Sequence, residues 1–269
     1  MKKQKIIGVV GLGTMGAACA KNIADFSNYK ILAYDKNKNK QPSKTNTAKN
    51  IKELIRKSQL LFLAIKPQDL DAFLIKNRDI ILAVKPLLIS ILAGVSLKSI
   101  EKALPGIKVI RVMPNLAVQT REAVSFIAAG KFVKEKELKE VKGIFSLLGG
   151  VFESSEKNMD KITALSGSGP GFIYYFMRSF YSTAIKMGFN KKEARRIVAQ
   201  TFQGASKLAS ESDQDFSKLV KNVASRGGTT EAGISFFDKK QLSQNISKGI
   251  FAAYERAKKI SLGSKKEKK

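Results

Sequence analysis

A chain of 269 residues, 43% of them hydrophobic, is long enough to bury a core in one large or two modest domains. It has no histidine and one cysteine, which excludes histidine-based triads, HExxH zinc sites, imidazole proton shuttles and an internal disulfide, and suits a reducing compartment. Its 49 Lys and Arg against 22 Asp and Glu leave a net charge of +27, but the lysines are scattered rather than shaped into a groove, so nucleic acid is expected to bind only nonspecifically.

Lys5 to Val10 reads as a short buried strand, followed at once by Gly11-Leu12-Gly13-Thr14-Met15-Gly16 and a helix beginning with Ala17 to Ile23. In a dinucleotide fingerprint the first glycine allows the turn, the second lets backbone approach a pyrophosphate, and the third lets helix and strand pack closely. A second strand, Lys30 to Asp35, ends in an acid about 20 residues further on, as that fingerprint requires. Lys2, Lys3 and Lys5 ahead of an apolar run imitate a secretory signal. The glycine spacing argues against one, since cleavage would remove the first strand of the alternating pattern.

A polar segment then runs to about Asn50, and a short helix from Ile51 to Arg56 leads into the apolar run Leu60 to Ile65. Further buried strands are expected at Leu87 to Ala93, Lys108 to Val112 and Ala123 to Ala128, with a last edge strand at Gly149 to Glu153. Strands alternating with helices predict a doubly wound parallel sheet whose ligands lie beyond the carboxyl ends of its strands. The residues at those ends are Lys66-Pro67-Gln68, Gly94-Val95-Ser96 and Met113-Pro114-Asn115. No stretch has the apolar length of a membrane span, and the expectation is a soluble, cytoplasmic protein.

From about Asp160 the pattern changes to long helices. Gly169-Pro170 sets proline at a helix start, and Phe172, Tyr175, Phe176, Ser179, Phe180 and Thr183 form one stripe while Ile173, Tyr174 and Met177 are apolar on other faces. Such a helix needs burial nearly all round, which predicts a homodimer, with further assembly left open. Helices are also expected over Lys191 to Ser210, Phe216 to Val223, and as a pair from Thr229 to near Ile260. Between them, Ser225-Arg226-Gly227-Gly228-Thr229-Thr230 is a glycine-rich break whose N–H groups and following helix start suit a small anion beside a hydroxyl. The division expected is a dinucleotide-binding domain over 1–157, a helical domain over 158–262 and a basic disordered tail over 263–269.

Together the motifs resemble the pyrroline-5-carboxylate reductase family. The resemblance rests on Gly11 to Gly16, on Ala64-Ile65-Lys66-Pro67-Gln68, on Ser90 to Val95, on Arg111-Val112-Met113-Pro114-Asn115, on Thr163-Ala164-Leu165-Ser166-Gly167-Ser168-Gly169-Pro170, and on Gly227-Gly228-Thr229-Thr230. It implies a Rossmann-type domain followed by an all-α dimerisation domain, and reduction of a cyclic imine to proline by hydride from a nicotinamide cofactor. It also implies that Thr230 hydrogen-bonds the imine nitrogen, that N–H groups from Gly227 to Thr229 hold the substrate carboxylate, and that Ser225, Asn222 and Glu156 make further substrate contacts. Lys66 would add charge near two anionic ligands, and Ala64, Ile65, Lys66, Pro67, Ala93 and Asn115 would face the cofactor with Gly11 to Gly16. Asp35 suits the free ribose of NADH, whereas Lys36 and Lys38 suit the phosphate of NADPH, and the family leans to NADPH. Two alternatives stay open from the residues, a related cyclic imine or carbonyl as substrate, and a nucleotide-binding relative without turnover. Arg226 stands where the family usually has proline, and Leu116-Ala117 where it usually has Thr-Pro.

Overall fold

The first strand, β1 (Ile6–Val10), is buried at every position after Ile6, as a continuous apolar run must be in a parallel sheet covered on both faces. This computed structural model describes residues 4–37 and 42–266, so Lys2, Lys3, Lys38 and the chain end from Glu267 to Lys269 lie outside the described residues. After β1 the chain forms α1 (Thr14–Phe26), β2 (Lys30–Tyr34), β3 (Asn46–Thr47), α2 (Ile51–Lys57), β4 (Leu60–Leu63), α3 (Leu70–Val84) and β5 (Leu87–Ser90). It continues through α4 (Leu97–Ala103), β6 (Val109–Met113), β7 (Ala123–Ala129), α5 (Glu135–Ser146) and β8 (Gly149–Glu153).

The eight strands make one sheet in the order β3-β2-β1-β4-β5-β6-β7-β8. Gly8 lies beside Leu32 on one side and Leu61 on the other, so the strand order reverses at β1 and β4, where a crevice opens at their carboxyl ends. Helices cover both faces. Cys19 and Ile23 of α1 join Ile144 and Phe145 of α5 on one, while Leu54 of α2, Ile81 of α3 and Ile100 of α4 pack on the other.

Two features of the sheet differ from expectation. The polar segment after β2 contributes the two-residue edge strand β3, paired to Leu32 and Ala33. β7 runs antiparallel to β6, because the link between them is a short 3₁₀ turn over Leu116–Thr120 rather than the crossover helix that a parallel return needs.

By contacts the described chain divides into two compact units, one running to Ser168 and taking back the residues from Ala253, the other Gly169–Ala252. The expected break after residue 157 falls earlier than this division. α6 (Met159–Ile162) still belongs with the sheet, since Met159 and Ile162 pack into the core of the α2–α4 face. A π turn over Thr163–Gly167 follows.

The second unit is helical, with α7 (Gly169–Lys186), α8 (Lys191–Ser210), α9 (Phe216–Val223), α10 (Thr229–Lys239) and the first part of α11 (Leu242–Lys266). Phe180 of α7 meets Phe202 of α8 edge to face, with ring centroids 5.2 Å apart. No residue of α7 is buried, and Ile173, Tyr174, Tyr175 and Phe180 are 47–59% exposed, so one chain does not supply the burial that this helix's composition demands. The tail expected to be disordered from Gly263 is helical through Lys266, the helix running on past Gly263 into lysines, which are good helix formers.

Candidate active site

The three glycines after β1 sit in three different environments. Gly11 has φ +96, and a Cβ there would lie 2.6 Å from the Ala64 carbonyl oxygen. Gly16 is closed to a side chain by packing, since its Cβ would meet the Gly11 carbonyl oxygen at 2.1 Å and the Ala64 Cβ at 2.8 Å. Gly13 faces open space with nothing within 4 Å. The first makes the turn, the third brings helix and strand together, and the second leaves backbone bare where a pyrophosphate would approach. Gly13 is also the N-cap of α1 and makes no side-chain cap, and the first turn carries no acidic residue, so the positive end of the helix dipole is left for an anion. A dinucleotide fits this cradle.

A cleft of about 930 Å³ opens beside the turn, lined among others by Gly11, Gly13, Asp35, Lys36, Ala64, Ile65 and Lys66. Lys36, Lys52, Arg56, Lys66 and Lys76 face Asp35 and Asp69 in its lining, an excess of positive charge that suits phosphates. Leu12, Gly13 and Thr14 also line a second cleft of about 570 Å³. Met15 packs on the core and Gly16 is buried, so these two shape the turn rather than line it. Pro67 is exposed and opens the 3₁₀ turn Pro67–Asp69. Asp35 accepts from the Leu12 N–H at 2.6 Å and from the Asn37 N–H at 2.8 Å, so its carboxylate holds the glycine turn and its own loop.

Further along the sheet, Ala93 is half-buried beside Gly94, whose φ is +74. Asn115 is buried, and its Oδ1 accepts from the N–H groups of Ala117 and Val124, both at 3.3 Å, which ties the 3₁₀ turn to β7. Neither residue lines the two clefts above. Glu156 lies within the first unit and is already engaged. Its Oε1 accepts from Arg111 Nη1 at 2.7 Å and from the Leu97 N–H at 3.1 Å. Arg111 is 3% exposed, so this ion pair joins β6 to the start of α4 from inside. Glu156 Oε2 and Arg111 Nη2 are buried without a hydrogen-bond partner among the described residues.

In the second unit the Ser225 to Thr230 break forms a tight turn. Gly227 has φ +73, the Gly228 N–H donates to the Ser225 carbonyl at 2.9 Å, and Gly228 caps α10. The Gly227 N–H donates to a carboxylate, Oε2 of Glu231, at 2.6 Å. Thr229 and Thr230 open the helix, where N–H groups lack intrahelical acceptors, and Thr230 is half-buried. Asn222 donates to Gln214 Oε1 at 2.8 Å. Ser225 and Arg226 are exposed.

Sequence reasoning did not single out Lys52, Arg56 and Lys76. The first two stand four apart on α2, a spacing that puts both on one helix face and could have marked them. Nothing local marks the partner of Glu156, since Arg111 is 45 residues away.

The family model for pyrroline-5-carboxylate reductase dimerisation matches residues 156–260, and that for the NAD-binding domain of D-isomer specific 2-hydroxyacid dehydrogenases matches residues 2–91. Pyrroline-5-carboxylate reductase from Methanosarcina acetivorans is 35% identical, covering 97% of this chain and 99% of the relative. That from Aquifex aeolicus is 32% identical, covering 94% and 97%. Among solved structures, the Plasmodium falciparum pyrroline carboxylate reductase with NADP bound superposes with a TM-score of 0.88 at 29% identity, covering 97% of this chain and 99% of the other.

Proposed function

This chain belongs to the pyrroline-5-carboxylate reductase family, and we infer that it reduces the C=N bond of 1-pyrroline-5-carboxylate to L-proline with NADPH, the last step of proline biosynthesis. The observation that carries the nucleotide half of this reading is the glycine turn, where Gly13 alone of the three glycines has open space at its Cβ. When bound, the nicotinamide supplies the hydride that goes to the imine carbon. The chain's own residues position the two ligands and look after the ring nitrogen, which must be protonated or held as an iminium.

Thr230 is assigned to that nitrogen, through its hydroxyl at the N-terminal turn of α10. The turn from Gly227 to Thr229, with Ser225 and Asn222 beside it, is assigned to the substrate carboxylate, which would take the Gly227 N–H from Glu231 while the Gly228 N–H stays on the Ser225 carbonyl. The Glu231 carboxylate on the Gly227 N–H supports this, since the turn already accepts an anion of the same chemistry. Lys66, exposed at the cleft, adds positive charge toward the anionic ligands. For Glu156 the oxygen left over after Arg111 and Leu97 is Oε2, and that atom would make its substrate contact. No histidine is needed, because a cyclic imine demands no strong base.

NADPH is favoured over NADH by the cations of the cleft, with Asp35 leaving NADH usable. The exposed apolar residues of α7 belong in a homodimer, which the family's dimerisation domain over 156–260 supports. No helix among the described residues is long and apolar enough to cross a membrane, and we place the enzyme in the cytoplasm. A panel of pyrroline-5-carboxylate, its six-membered homologue and simple carbonyls tests the reading. Preference for the five-membered imine acid is expected, and equal rates across the panel would overturn the substrate assignment.

A further inference from the structure

We propose that the end of the C-terminal helix α11, through Ile260 and Ser261, is a positioning element of the cofactor site that holds the Ala93 to Ser96 turn after β5. The proposal rests on the reading of the chain as an NADPH-dependent reductase, for which the family resemblance implies that Ala93 of this turn faces the cofactor.

Gly94 has φ +74, a conformation that L side chains rarely adopt. The space beside it is filled from elsewhere. A Cβ at Gly94 would lie 2.5 Å from Ile260 Cγ2, and its next two nearest neighbours would also be atoms of Ile260. Thus a side chain 166 positions along the chain occupies the volume that a substituent at residue 94 would need, and the turn has no slack on that side.

The helix end is itself tied down. Ser261 Oγ donates to Asp160 Oδ1 at 2.6 Å, and Ala257, one turn earlier, is 6% exposed. Asp160 stands in the same short stretch as Glu156, whose Oε1 accepts the Leu97 N–H immediately after the turn. The turn is therefore held at Gly94 by Ile260 and at Leu97 by Glu156, with the buried Arg111 fixing Glu156 from beneath. Ile260 remains 42% exposed, so it contributes little as a core residue, and its contact with the turn is its distinctive feature.

Ile260→Ala, Ile260→Val and Ser261→Ala in the full chain test this. Three quantities are compared with wild type, namely the NADPH dissociation constant from nucleotide fluorescence, hydrogen exchange of residues 92–97, and KM for NADPH against kcat. Ile260→Ala is expected to weaken NADPH binding about three- to tenfold and to raise exchange in the turn, with kcat falling less than KM rises. Ile260→Val should stay near wild type, and Ser261→Ala should move the same way as Ile260→Ala by a smaller factor. Unchanged nucleotide affinity and unchanged exchange in both alanine variants would overturn the proposal. Equal loss of all protection across the molecule would also do so, since that marks a general structural role. A wild-type protein that bound NADPH but reduced no imine would defeat the catalytic reading, while affinity and exchange would still decide this proposal.

Discussion

The three glycines of the first turn should fail in three separable ways when each is replaced by alanine. At Gly16 the new Cβ would stand 2.1 Å from a backbone oxygen and 2.8 Å from the Ala64 Cβ, and backbone cannot rotate away as a flexible side chain can. Overpacking of this kind costs about 1–3 kcal/mol, and the contact with a carbonyl belongs at the upper end. The better helix propensity of alanine returns about 1 kcal/mol, leaving a net loss of roughly 2 kcal/mol and a thermal midpoint lower by roughly 4–8 °C. At Gly13, φ is −65 and nothing lies within 4 Å, so the fold should keep its stability to within about 1 kcal/mol. The methyl group would instead project where a pyrophosphate approaches, weakening NADPH binding by about tenfold or more. Gly11→Ala should lose on both counts, with about 1–2 kcal/mol of backbone strain at φ +96 added to the 2.6 Å contact with Ala64. Thermal unfolding and a fluorescence titration of NADPH on the same preparations separate the effects. The reasoning is refuted if Gly13→Ala binds NADPH as wild type does, or if Gly16→Ala unfolds at the wild-type temperature.

Thr230→Ala should lower kcat by about 10²-fold while substrate KM changes less, and an unchanged kcat would remove the hydroxyl from the proton's path. Asp35→Ser should shift the ratio of kcat/KM values toward NADPH, because it removes a carboxylate from the cation-rich cleft. A shift toward NADH would overturn the placing of Asp35 at the ribose. Truncation after Leu262 should leave steady-state rates intact, whereas truncation after Lys259, which removes both Ile260 and Ser261, should raise KM for NADPH.

Much of the first unit was legible because its signals are local. Buried parallel strands are continuous apolar runs, so Leu60 to Leu63 and Leu87 to Ser90 declare themselves without knowledge of their neighbours. The glycine turn is legible for the same reason, since each glycine answers to a fixed offset from the strand. What the sequence does not carry is direction and distant pairing. Val109 to Met113 and Ala123 to Ala129 read alike as strands, and only the short link between them makes the second antiparallel. Glu156 carries no local sign of its partner, a buried arginine on β6 that lies 45 residues away. Gly94 reads as part of a ligand-facing strand end, and the approach of Ile260 to it emerges only when the helix end is seen against it. Gln59 is a smaller case, its amide oxygen accepting the N–H of Ile6, 53 residues away, at 2.8 Å.

The most direct test of the central claim follows NADPH absorbance and proline formation together, with purified protein, pyrroline-5-carboxylate and enough salt to displace the polyanions that a net charge of +27 attracts. The account predicts that NADPH is consumed in step with proline. Nucleotide that binds but is not oxidised, or is oxidised without proline appearing, would contradict it.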